Sequence, residues 1–160
     1  MTIVESPFEK VRRKMVAARI ELMSQLARFS QEELSVQPHE GGWSPLQIAH
    51  HLYITDGLAL EQMQRVQEED GPLLPNLAEQ APHITNSSEP PVSLEAVLAG
   101  MAARREEIFA YLAGLPTEGW ERPFRHAEWG ERQFYQLVNV LPLHDHMHSQ
   151  QLVALKEQGA

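Results

Sequence analysis

The chain has 160 residues, 42% hydrophobic and 22% charged, a length and composition that suit one ordinary globular domain over residues 1–160. Its 13 basic against 22 acidic residues give a net charge of −9, with no basic footprint for phosphates, so a nucleic-acid partner is not expected. Cysteine is absent, which removes a disulfide scaffold, a thiolate metal site and a cysteine nucleophile together.

The first apolar series at helical spacing is Phe8, Val11, Met15, Ala18, Leu22, Leu26 and Phe29. Ser6 is its expected N-cap, Pro7 its first helical residue, and Glu9 completes a capping box. A short turn restarts at Ser30-Gln31-Glu32-Glu33, ahead of Pro38. The second helix opens in "GGWSPLQIAHHL", with Ser44 as cap, Pro45 at the first helical position and Gln47 returning a bond. Trp43 and Ile48 have the spacing of a hydrophobic staple. This helix is expected to run to Asp70, where Gly71-Pro72 stops it.

From Pro72 to Val92 the chain carries five prolines and no periodicity, the mark of a long connection. Asn86-Ser87-Ser88 within it resembles a glycosylation sequon, without meaning in a chain that shows no export signal. Ser93 caps a third helix on Leu94, Val97, Met101, Ile108 and Leu112, which ends near Gly114 and Pro116. A second irregular stretch holding Trp120, Pro123, His126 and Trp129 leads into a last helix expected from about Glu131. No stretch alternates convincingly as a strand, and no apolar run has membrane-spanning length. The expectation is an all-α four-helix bundle, cytoplasmic and with no membrane partner.

The last helix ends in "HDHMHSQQL", and its apolar stripe reads Leu137, Leu141, His144, His148, Leu152 and Leu155. His144 and His148 therefore stand where core residues belong, with Cβ atoms about 6 Å apart. His146 is rotated about half a turn away, among surface residues. Two inward imidazoles four apart each need a buried partner, and one ion at roughly 2.0–2.1 Å from each would satisfy both. A third ligand must come from another element. On helix two, Ile48, Leu52, Ala59 and Met63 define the stripe; His51 lies on it, while His50 falls on a lateral face with Leu46 and Gly57. His51 is preferred because its flanking residues make the more continuous stripe.

Depth decides the topology. His51 lies about 10 Å from the start of helix two and His148 about 15 Å from the end of helix four. Those depths agree when the two helices run antiparallel. A plain up-down-up-down bundle would make them parallel. Helix two spans roughly 40 Å, a distance the long connection can cross in extended form, so up-down-down-up is expected.

"WSPLQIAHHL" followed about ninety residues later by "HDHMHSQQL" resembles the DinB/YfiT-like family of metalloenzymes, over essentially the whole chain. The resemblance implies a four-helix bundle, commonly dimeric, with a three-histidine site for nickel or zinc. Carried over, that triad falls on His51, His144 and His148. Some relatives are thiol S-transferases using bacillithiol, mycothiol or glutathione; others are isomerases dependent on such thiols. This chain departs from the pattern at the start of helix four, "GERQFYQL", which lacks a hydroxyl cap, and at Pro142, which removes a backbone bond to Val138 and kinks the helix.

Three neutral histidines leave a divalent ion with open positions, the catalytic rather than the closed structural arrangement. The ion could activate a bound water or thiol, and without cysteine any thiolate must arrive on a cosubstrate. Gln151 and Asp145 are candidates to orient ligands or cosubstrate. Ligation needs unprotonated imidazoles, whose reference pKa near ~6.5 implies that metal affinity falls below about pH 6. The leading expectation is a metal-dependent S-transferase acting on a small electrophile, as a homodimer. The alternatives are a metal-dependent hydrolase and a non-catalytic metal-binding bundle that senses, sequesters or docks. A peptidase is disfavoured because H-D-x-x-H shortens the zincin general base by one methylene, and E-x-x-H, needed for a di-iron bundle, does not occur.

Overall fold

The computed structural model describes residues 5–77 and 93–158; most of the long connection, with its sequon-like triplet, lies outside them. The first three helices are α1 (Pro7–Leu26), α2 (Pro45–Glu68) and α3 (Leu94–Ala113). The last is divided into α4 (Phe134–Val138) and α5 (Val140–Gln158). The three serine caps form as the sequence implies. Ser6 Oγ accepts the Glu9 N–H at 3.2 Å, Ser93 Oγ accepts the Ala96 N–H at 3.1 Å, and Ser44 exchanges bonds of 3.2 and 2.9 Å with Gln47. Helix α2 stops two residues before the expected Asp70, ahead of Gly71, whose φ of 52° no other residue type adopts readily.

Cross-helix pairs fix the directions. Lys14 of α1 meets Asn139, just before α5, at 3.5 Å and Arg19 meets Asp145 of α5 at 3.0 Å, so both numbers rise together and the helices are parallel. Along α2 and α3 the same holds. A Cβ on Gly100 would come within 2.9 Å of the Tyr53 ring, and one on Gly57 within 3.0 Å of Arg104. These two glycines let the helices approach closely where Tyr53 and Arg104 cross between them. Arg19 of α1 also reaches Asp56 of α2 at 3.0 Å, while Leu22 and Leu26 pack with the early residues of α2 and Val11 and Met15 with the late ones. Helices α1 and α2 are therefore antiparallel, and the bundle runs up-down-down-up.

Two expectations need correction. Short strands are present: β1 (Leu73–Leu74) pairs in parallel with β2 (Pro123–His126), which forms a hairpin with β3 (Gly130–Gln133). Phe124 and His126 alternate inward, but a four-residue strand offers only two such positions, too few to register as a period. Glu131 accordingly sits in β3, and the helix begins at Phe134. The missing hydroxyl cap is supplied by an amide, since Gln136 Oε1 accepts the Gln133 N–H at 2.9 Å.

The last helix is interrupted at Asn139, just ahead of Pro142, which has no N–H to offer Val138. At the interruption the Tyr135 carbonyl accepts both the Asn139 backbone N–H at 3.1 Å and its Nδ2 at 2.7 Å.

The core forms two clusters. One gathers Met15, Met63, Val66, Ile108, Leu112, Phe124 and Phe134; the other gathers Leu22, Leu26, Ile48, Leu52, Met101 and Leu152. Along each helix the residue between the clusters is charged: Arg19, Asp56, Arg105 and Asp145, one from each of the four long helices. Asp56 and Asp145 are each 1% exposed. Arg19 bridges both carboxylates at 3.0 Å, and Arg105 bridges them at 3.2 and 3.3 Å. Two positive and two negative charges close the layer electrically, which buried ions require.

Candidate metal centre

The triad lies beside this charged layer. His51 comes from the second turn of α2, at the end fixed by the Ser44–Gln47 box, and His144 and His148 come from successive turns of α5. The structure brings these three together. Their ring centroids are separated by 5.3 Å for His51 and His144, 5.0 Å for His51 and His148, and 4.6 Å for His144 and His148. One ligand atom from each lies within 4.8 Å of the others.

His50 and His146 lie elsewhere. The His50 ring stacks along Tyr53, and His146 is an exposed residue 3.6 Å from the Glu21 carboxylate.

Hydrogen bonding sets the orientation of the rings. Gln151 Oε1 accepts from His148 Nδ1 at 2.8 Å, which places the His148 proton on Nδ1 and a lone pair on Nε2. That Nε2 stands 3.0 Å from His144 Nε2. His51, 6% exposed, keeps a buried Nδ1 with no hydrogen-bond partner. Trp43 packs over the His51 ring at 4.6 Å and shields it from water. The orphaned His51 nitrogen is costly without a partner. Two nitrogens 3.0 Å apart also fit adjacent positions round one ion with bonds of about 2.0–2.1 Å. The residues present therefore suit a divalent metal.

Burial lowers the His51 pKa to about 3, assisted by the neighbouring imidazoles, and lowers His144 to about 4. His148 is lowered by the same desolvation, opposed by its bond to Gln151 and by the Asp145 charge. All three are thus neutral at pH 7, the state in which imidazole ligates. Asp145 places its carboxylate against Arg19 and Arg105, and acts on His144 and His148 through its charge.

Above the triad opens a cavity of about 370 Å³. Its walls include Trp43, Trp129, Leu137, Leu141 and Met147, with His126 among them. The His126 ring stacks flat on Trp129, centroids 3.6 Å apart and planes within 7°. Its Nδ1 accepts the Glu128 and Trp129 N–H groups at 3.1 and 3.3 Å, which fixes the stack to the hairpin turn. Sequence reasoning assigned no role to His126 or Trp129. Both lie on a hairpin that the irregular pattern concealed.

A four-helix bundle that runs up-down-down-up, with three inward histidines on α2 and α5 below an apolar cavity, defines the class. The profile of the DinB superfamily matches residues 14–152, and the chain belongs to that superfamily. It is 26% identical over 153 residues to YuaE of Bacillus subtilis (strain 168), covering 88% of this chain and 94% of that protein. YfiT from Bacillus subtilis, described as a probable metal-dependent hydrolase with an unusual four-helix bundle topology, superposes with a TM-score of 0.74. Its identity is 16%, over 98% of this chain and 90% of YfiT. The four-helix bundle protein TT2238 superposes at 0.66 with 22% identity, over 92% and 98% of the two chains. The mycothiol-dependent maleylpyruvate isomerase superposes at 0.63 with 11% identity, over 93% of this chain and 63% of its own. At these identities the structural likenesses establish the fold alone.

Proposed function

We propose that this chain is a divalent-metal enzyme of the thiol-dependent transferase type, with nickel or zinc held by His51, His144 and His148. The observation that carries the reading is the composition of the cavity. Among the described residues that line it beside the three imidazoles none is acidic, so none of them offers a carboxylate as general base for a water. A bound ion would supply the Lewis acidity that makes a coordinated thiol or water nucleophilic near neutral pH. A thiol suits this cavity better than water, because coordination deprotonates it without an adjacent base.

The chain's own residues hold three neutral nitrogens, orient His148 through Gln151, and exclude bulk water with Trp43. The reaction joins the sulfur of a low-molecular-weight thiol to an electrophilic carbon while the bond to the leaving group breaks. The thiol proton passes to solvent and the leaving group departs with the electron pair. The mycothiol dependence of the isomerase neighbour supports the thiol. The description of YfiT supports a second reading, in which water is the nucleophile and the reaction is hydrolysis.

Cobalt substitution with bacillithiol, mycothiol and glutathione separates these. An intense sulfur-to-cobalt charge-transfer band, with conjugation of a model electrophile rising in step, is the expected result. Hydrolysis of an ester or amide without any thiol would transfer the assignment to the second reading. Neither band nor turnover would leave a non-catalytic metal-binding bundle. We also propose a homodimer, supported by the exposed apolar side chains Val16, Ile20 and Met23 on α1, and checked by light scattering.

A further inference from the structure

The cavity also limits which molecule the centre can transform. We infer that the electrophile is a neutral, flat, aromatic or conjugated compound that packs against the Trp43 indole and the Trp129–His126 stack. This deepens the transferase reading and rests on it for the chemistry, though the binding itself needs neither metal nor thiol.

Three observations carry it. The walls are aromatic and aliphatic, and no Lys, Arg, Asp or Glu is among the described residues that line the cavity. Away from the ion that the triad would hold, a carboxylate or phosphate on the substrate would be buried against these walls with no side-chain counter-charge among the described residues, a placement that costs more than aromatic packing returns. The polar side chains nearby are neutral, and two are already engaged: Thr55 Oγ1 donates to the Leu52 carbonyl at 3.2 Å and Gln62 Nε2 to the Pro75 carbonyl at 2.9 Å. They can orient a carbonyl or nitro group but cannot neutralise an anion.

Flatness follows from the Trp129–His126 stack. It is pinned to the hairpin by two backbone hydrogen bonds, so it offers a fixed planar face rather than an adaptable aliphatic one. A volume of about 370 Å³ is near the lower end for small-molecule sites, and admits one or two rings beside a thiol.

The test compares two probes of one ring system on the full chain, as purified and again after chelation. 1,3-Dinitrobenzene is neutral, and 3,5-dinitrobenzoate adds one carboxylate. Both quench indole fluorescence on contact, and calorimetry provides a second readout. Saturable quenching by the neutral probe, at least tenfold tighter than by the anion, is expected. Trp129→Ala should weaken it about tenfold, and Val140→Trp, which fills part of the cavity, should compete with it.

Equal or tighter binding of the anion would overturn the inference. So would quenching that never saturates, or neutral-probe affinity unchanged in both variants. If Trp129→Ala fails to fold, the wild-type probe ratio and Val140→Trp still decide. Because the chelated chain is used, loss of this preference beside an intact cobalt–thiol band overturns only the substrate class. The preference without such a band overturns only the thiol chemistry.

Discussion

Two buried polar clusters lie side by side in the same bundle, and they differ in charge: one balances cations against anions, the other gathers neutral rings. In the charged layer, two guanidinium groups meet two carboxylates, and α1, α2, α3 and α5 each contribute one member. In the histidine cluster, three neutral rings face one another, an Nδ1 lacks a partner, and the nearest charge belongs to the other cluster. A cluster whose charges cancel holds helices in register, even though Arg105 Nε and Nη1 keep no hydrogen-bond partner. One that brings three neutral imidazoles together, with a buried nitrogen unpartnered, has the donor set of a cation site. The adjacency has a use, since Arg19 and Asp145 lock α5 against α1 one residue from His144, and so fix the depth at which the triad meets.

The largest effect that would break this contrast is on stability. Asp145→Ala should cost roughly 3–5 kcal/mol, because it leaves guanidinium charge buried in excess, as urea unfolding would measure. His51→Ala should do the reverse: apoprotein stability changes by about 1 kcal/mol or less while metal affinity collapses. If His51→Ala unfolds the apoprotein as severely as Asp145→Ala, the triad is structural and the comparison fails.

A smaller effect sharpens it. Gln151→Ala removes the acceptor of His148 Nδ1 and should lower metal affinity about 10- to 100-fold by calorimetry, with little change in the apoprotein's urea midpoint.

Titration acts on the same rings. Burial depresses the folded-state pKa of His51 to about 3 and of His144 to about 4, so the unfolded chain takes up protons first. Apoprotein stability should therefore be complete above pH ~6.5 and fall as pH drops below it, by up to about 1.4 kcal/mol per pH unit for each such histidine. The fall should level off as each folded-state value is passed. Metal affinity should begin to fall at a lower pH than free imidazole implies, because burial lowers all three folded-state values. Affinity that collapses at pH 6 would show that the rings are wetter than the packing indicates.

His146→Ala should change metal affinity less than twofold and stability by under about 0.5 kcal/mol, the ordinary consequence of a surface substitution.

Much of this was legible in the residues. Serine caps at 6, 44 and 93, prolines at 7 and 45, and apolar steps of three and four determined the long helices, because those signals act within one or two turns. The stripe on the last helix determined that His144 and His148 face inward and His146 does not. Matching depths of His51 and His148, with a connection long enough to recross the bundle, determined the up-down-down-up path. Even the charged layer left a trace, since Asp56 and Arg105 stand at gaps in the apolar stripes of helices two and three. What no local pattern discloses is which interruptions meet. Tertiary structure alone paired the layer's four charges and gave Asp145 to Arg19 and Arg105, because Coulomb partners on different helices are chosen by distance in space. It likewise formed the β2–β3 hairpin and set the Trp129–His126 stack over the triad. Strands of two to four residues gain their stability from cross-strand bonds and packing on the bundle, which residues separated in sequence must complete.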